Sequence, residues 1–400
     1  MDSSHSAAPE VPQNHAAPEP PQNHADPEVP QNRAAPEVLQ SRAEIEKIAA
    51  LLDVDKGRLG FLQELPLQDV RRFREQTVAA LFDRVPDMLD RIAAATRWGP
   101  AGGAPAITQR APGPRPAAAV GGRLDPARAA DIIEKLPVAF TAESCAHLDP
   151  RRIPRIVDRL DENLVVRIAV VLAERGDYLT MGRFVGHLRD AALSRILPHV
   201  PDETVLRTGY AIDRPEQLSR IIELMGRERL ESVIASAADG LWPEALAVAG
   251  MVTGEQRGRI ASLAAAQPPE RLDSLVAVAA EQGLWESLLP LVALLPAGEL
   301  RAVAVLPSLQ DAEVLAGVVR AVVAMGLWAE FLPLVELLPD ASRKVVADAA
   351  GALAEPELDA LAREVDKQDL WDVVLPLVEL MSDEAKTRIF ALPAFQDAAG

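Results

Sequence analysis

Apolar residues along this chain recur at helical spacing, and one motif recurs with them. Trp242, Trp285, Trp328 and Trp371 stand 43 residues apart, inside three copies of Gly-Leu-Trp and one of Asp-Leu-Trp. Behind each tryptophan the same positions are apolar: Ala245, Leu246, Ala249 and Val252; Leu288, Leu289, Val292 and Leu295; Phe331, Leu332, Val335 and Leu338; Val374, Leu375, Val378 and Met381. Offsets of 3, 4, 7 and 10 put them on one helical face with the tryptophan. Two further helical stretches fit between successive tryptophans, for example 299–305 and 312–325, so each unit predicts three short helices. The glycine of each motif suits a left-handed helix end. A fixed period of this length predicts an all-α chain, a right-handed α-solenoid in which each unit buries its apolar face on its neighbours. Pro290, Pro333 and Pro376 follow their tryptophans by five residues, with Ala247 at that place in the first copy, and predict either bent helices or helices that start late.

Upstream, Gly176-Asp177-Tyr178 reads as a diverged junction 64 residues ahead of the next, an interval that implies two additional helices. Leu124-Asp125-Pro126 and Leu148-Asp149-Pro150 are helix starts, with Asp capping free amides and Pro at the first helical position. The solenoid therefore covers 123–400. Residues 99–122 are rich in Gly, Pro and Ala and read as a linker, and 43–98 as a small helical subdomain with Ile45, Ile48, Leu51 and Leu52 on one face. Residues 1–42 hold a nonapeptide repeat, AAPEVPQNH from Ala7, whose prolines exclude helix and central strand and predict a disordered tail. Its last copy, AAPEVLQSR from Ala34, has decayed.

The stretch from Leu124 to about Leu206, with LDPARAADIIEKLP, LDPRRIPRIVDRLDENLVVRI and ILPHVPDETVL, resembles the cytoplasmic N-terminal domain of magnesium transporters of the MgtE type. That resemblance implies a superhelix of short helices. The regulatory and transmembrane domains of that family have no room here, so transport is not implied, and magnesium enters only as an ion without assigned ligands.

Composition narrows the function. A formal net charge of -18 argues against a nucleic-acid partner. No window approaches the length of a spanning apolar helix, and the N-terminus lacks the pattern of a signal peptide, so the expectation is a cytoplasmic protein without a membrane span. Arg outnumbering Lys, with abundant Ala, fits a GC-rich bacterial genome. The single cysteine, Cys145, excludes an internal disulfide and a multi-thiolate zinc site. With His147 two residues away it does not form a thiol–base pair, and no phosphate loop, nucleophile elbow or dinucleotide fingerprint occurs, so no catalytic residue and no cofactor is expected.

Three weaker patterns remain. His15 and His24 occupy equal repeat positions, where a shared metal competes with plain repeat expansion. Asp53, Asp55 and Glu64 match positions 1, 3 and 12 of a calcium loop, but Arg58 stands where the loop needs glycine, which favours a capped turn. Arg151, Arg155 and Arg159, beside Arg152, form a basic stripe at helical spacing opposite Ile153, Ile156, Val157 and Leu160, which reads as a solvated face or as a surface for an anionic partner. From Gly240 onward, acids outnumber bases by 24 to 11. The reading that results is a non-catalytic scaffold for an unidentified protein partner, with a divalent-cation-responsive module as the alternative.

Overall fold

The computed structural model describes residues 35–83, 114, 118, 121, 122, 124–367 and 370–391. Every regular element among them is helical and none is a strand. Two helices open the chain, α1 (Ala35–Leu52) and α2 (Leu67–Asp83), joined by a 3-10 helix over Lys56–Glu64. The remainder, numbered in chain order, runs α3 (Pro126–Ile133), α4 (Val138–Cys145), α5 (Pro154–Val157), α6 (Glu162–Glu174), α7 (Tyr178–Val185), α8 (Asp190–Ile196) and α9 (Asp202–Tyr210). It continues with α10 (Leu218–Glu223), α11 (Arg227–Ser236), α12 (Trp242–Met251), α13 (Gly254–Ala265), α14 (Pro269–Gln282), α15 (Trp285–Val292), α16 (Ala297–Ala304) and α17 (Ala312–Met325). The last five are α18 (Trp328–Leu337), α19 (Asp340–Gly351), α20 (Glu355–Lys367), α21 (Trp371–Leu380) and α22 (Asp383–Phe390).

Each of the four tryptophans opens its helix. Gly240, Gly283 and Gly326 adopt φ of 90°, 66° and 66°, a region that other residues rarely enter, and so end the preceding helix and turn the chain into the next. Pro290, Pro333 and Pro376 lie inside their helices rather than ahead of them. Five α-helices fill 178–236, two more than one tryptophan-led interval holds. Helices pack mainly on near neighbours in sequence, as in the pairs α7/α9, α16/α18, α17/α19 and α19/α21.

Two boundaries differ from the sequence expectation. Helix α1 begins at Ala35, not at 43, and the decay of the nonapeptide is the cause. Leu39 stands where the preceding copy has Pro30, which restores a backbone donor, and it supplies a side chain buried in the core. Positions 114, 118 and 121, inside the expected linker, are helical, and Ala118 is buried. The tail repeats, with His15 and His24, and the stretch from 84 to 113 lie outside the described residues.

Candidate functional site

The helix α1 is not part of a separate subdomain. One side packs on α2 and the 3-10 helix through Ile45, Ile48, Leu59, Leu62 and Val70. The other lies across helices far away in sequence. Leu39 and Ala43 join the core that contains Tyr210, Trp242 and Ala247. The Tyr210 hydroxyl donates to the Leu39 carbonyl at 3.2 Å, and the Tyr178 hydroxyl to Glu46 Oε2 at 3.2 Å. The same helix packs on α12 and α15. It thus crosses a row formed by α7, α9, α12 and α15.

A buried ionic cluster pins this crossing. Lys47, its side chain 1% exposed, donates from Nζ to Glu44 Oε1 at 3.0 Å, to Asp213 Oδ1 at 2.8 Å and to the Ile212 carbonyl at 3.3 Å. Arg74 of α2 donates from Nε to Glu44 Oε2 at 2.6 Å and from Nη1 to Asp213 Oδ2 at 3.2 Å. Two carboxylates and two cations cancel, which is the condition for leaving water. Burial pushes the Glu44 carboxyl up, but Lys47 and Arg74 outweigh it and hold it below its ordinary value. Asp213 behaves the same way, burial being overcome by Lys47 and Arg74. Arg74 is raised: burial opposes its charge, and Glu44 and Asp213 more than restore it. The turn that carries Asp213 sits hard on α7, where the Asp213 amide donates to the Gly182 carbonyl at 3.2 Å. A Cβ on Gly182 would lie 2.5 Å from the Ala211 carbonyl oxygen, so only glycine fits this approach.

Behind the row lies a cavity of about 120 Å³, lined by apolar side chains that include Met181, Leu206, Met225, Trp242 and Leu246. It offers bulk without a reacting group. Cys145 is buried beside Ala142, Leu164 and Ile168, and burial, reinforced by Asp177, lifts its thiol to about 12, so it holds no thiolate at neutral pH.

The sequence-derived candidates fare differently. The four arginines do not share a helix: Arg151 and Arg152 belong to a 3-10 turn, Ile153 breaks the chain direction, and α5 is four residues long. The expected stripe therefore does not form, because Pro154 starts a new helix inside it. Arg151 donates to Asp149 and, from Nη1, to Glu75 of α2 at 2.7 Å, so it meets the chain's own hairpin. Arg152 lies 3.8 Å from Asp149, while Arg155 and Arg159 are exposed. In the calcium-like stretch Asp55 accepts the Gly57 amide at 2.8 Å as a helix cap, and a 3-10 helix fills the span a metal loop would wrap. Among the described residues no group of three or more His, Cys, Asp or Glu side chains is placed to hold a metal ion, and no helix is long and apolar enough to cross a membrane.

Sequence reasoning missed Glu44, Lys47, Arg74 and Asp213. Their signal was faint: Glu44 and Lys47 flank Ile45 and Ile48 as an ordinary polar face would, and their partner lies 166 residues away. No protein-family model, curated protein or solved structure matches this chain.

Proposed function

We propose that this protein is a non-catalytic interaction scaffold, whose 43-residue units stack as a right-handed α-solenoid and whose row of tryptophan-led helices accepts a helix laid across it. The observation that carries this reading is the seat of α1, a helix from one end of the chain held across α7, α9, α12 and α15. The cation-responsive alternative has no ligand set among the described residues to rest on.

The test uses full-length chain in which Lys47→Glu and Arg74→Glu put four like charges into the cluster and release the hairpin. A labelled peptide of residues 35–52 should bind this variant saturably in fluorescence anisotropy and should not bind the intact protein, whose row is filled. Equal binding to both, or to neither while the variant remains folded, would remove the helix-accepting row and with it this reading.

A further inference from the structure

The tryptophan-led helices outnumber those that α1 touches. The 18 residues of α1 reach about 27 Å at 1.5 Å per residue, and packed helices stand about 9 Å apart, so it can cross four helices and no more. That matches the four it touches. Two more tryptophan-led helices, α18 and α21, carry the sequence pattern onward, and their equivalent positions are bare. Two residues after the tryptophan, Glu244 is half-buried and Ser287 buried, but Glu330 is exposed. Five residues after it, Ala247 is buried and Pro290 half-buried, but Pro333 and Pro376 are exposed.

Chemistry changes along with exposure. Each proline lacks the amide that would bond to the carbonyl four residues earlier, which takes the i+4 donor from Ala329 and from Asp372. The exposed carboxylates of Glu330, two residues after Trp328, and Asp372, one residue after Trp371, lie beside these carbonyls. The bare face is therefore rich in acceptors and poor in donors, with Ala329, Leu375 and the proline rings as its apolar part.

We infer that the face of α18 and α21 that continues the α1 seat docks a basic amphipathic helix of a partner protein. This rests on the scaffold reading and adds the chemistry of the partner. Two arguments choose the occupant: continuity with a seat already filled by a helix, and charge. The chain's own segment 1–34 carries five acidic side chains and one arginine, and a second copy brings a net charge of -18, so both meet the face with like charge. Nucleic acid is repelled for the same reason. Lys and Arg on a helix supply donors to the carboxylates and to the carbonyls that the prolines deprive of an i+4 amide, while its apolar side covers the proline rings.

The experiment titrates intact protein into a fluorescein-labelled 18-residue peptide of Leu and Lys with helical periodicity, at physiological salt. A Leu/Glu peptide of the same pattern and a scrambled Leu/Lys peptide are the comparisons. Expected is saturable one-to-one binding of the periodic Leu/Lys peptide alone. Glu330→Lys with Asp372→Lys should weaken it at least tenfold at unchanged melting temperature, whereas Asp348→Lys with Glu355→Lys, exposed acids on α19 and α20, should leave it within twofold. Pro333→Ala with Pro376→Ala, which returns both amide donors, should weaken it severalfold. Equal loss from both charge reversals, equal binding of the scrambled peptide, or no binding overturns the inference. Recapture of the 35–52 peptide by the Lys47→Glu, Arg74→Glu variant concerns the seat on α7, α9, α12 and α15 and not α18 or α21, so that result can stand while this one falls.

Discussion

Replacing Lys47 by Met tests whether the ionic cluster holds α1 in place. Met has nearly the same length and removes only the charge and its three donated bonds, to Glu44, Asp213 and the Ile212 carbonyl. What remains is two buried carboxylates with Arg74 as the one buried cation hydrogen-bonded to both, Arg71 standing 3.8 Å from Glu44 at the half-exposed edge, so one buried negative charge loses its buried partner. At an effective dielectric constant of about 20, a unit pair near 3 Å has a gross attraction of roughly 6 kcal/mol, most of it spent against desolvation, so the pair as such says little. Stranding a buried charge is different and costs about 3–5 kcal/mol. Against a typical domain stability of about 5–15 kcal/mol, that loss is enough to detach the hairpin before the rest unfolds. Denaturant unfolding should show an early transition, and amide exchange in α1 should speed up while α17 and α19 keep their protection. Adding Glu44→Gln to Lys47→Met restores neutrality and should recover at least about 1 kcal/mol relative to Lys47→Met alone. A loss below about 1 kcal/mol with unchanged α1 exchange would refute the idea that this cluster anchors the helix.

Other outcomes follow from the same geometry. Trp242→Ala and Trp328→Ala, at 3% and 9% exposure, should each cost about 3–5 kcal/mol in urea unfolding, and the half-exposed Trp285 and Trp371 less; equal small effects at all four would mean that the indoles do not fill a core. Gly182→Ala should cost about 1–3 kcal/mol by driving a methyl into the Ala211 backbone, and should loosen the Asp213 turn, read as faster exchange in α1. Glu44 and Asp213 are held below their ordinary values of 4.5 and 3.8, so the unfolded chain binds more protons in acid; their stabilisation is complete above those values and is lost as pH falls through the folded ones. Hairpin release on acid titration should follow, and its absence in the Lys47→Met, Glu44→Gln variant would tie it to this cluster. Cys145 should resist iodoacetamide at pH 8 until denaturant is added; fast native alkylation would contradict a thiol lifted to about 12.

Local signals in the sequence were readable where the physics is local. The tryptophan starts, the glycine turns and the span of α17 follow from spacing and backbone preference within a few residues. The start of α1 was misjudged because the proline-rich repeat dominates its surroundings, and a single Pro-to-Leu change at position 39 reverses the preference. The arginine stripe failed for a related reason: side-chain spacing was read through Pro154, which resets the helix. The ionic cluster was illegible on other grounds. Burial of Lys47 depends on α2 and on the 212–213 turn closing over it, and no periodicity in α1 distinguishes a polar face that meets water from one that meets its own counter-ions. Likewise Ala247, Pro290, Pro333 and Pro376 occupy one position of the repeat in sequence, and only the seat of α1 separates covered from bare.

The seat of α1 also sets an order of events during synthesis. Most helices here pack on partners made moments before or after them, but α1 meets Tyr210, Asp213, α12 and α15, the last of which ends at Val292. About 240 residues must follow Leu52 out of the ribosome before the full seat exists, which at about 5–20 residues per second is a wait of roughly 12–48 s. Until about 160 of those residues have emerged, Leu39 has no Tyr210 and Lys47 has no Asp213. The nascent hairpin is thus the part of this chain with the longest need of protection, and the last-formed section of the seat, on α12 and α15, is open to competitors until the hairpin closes over it.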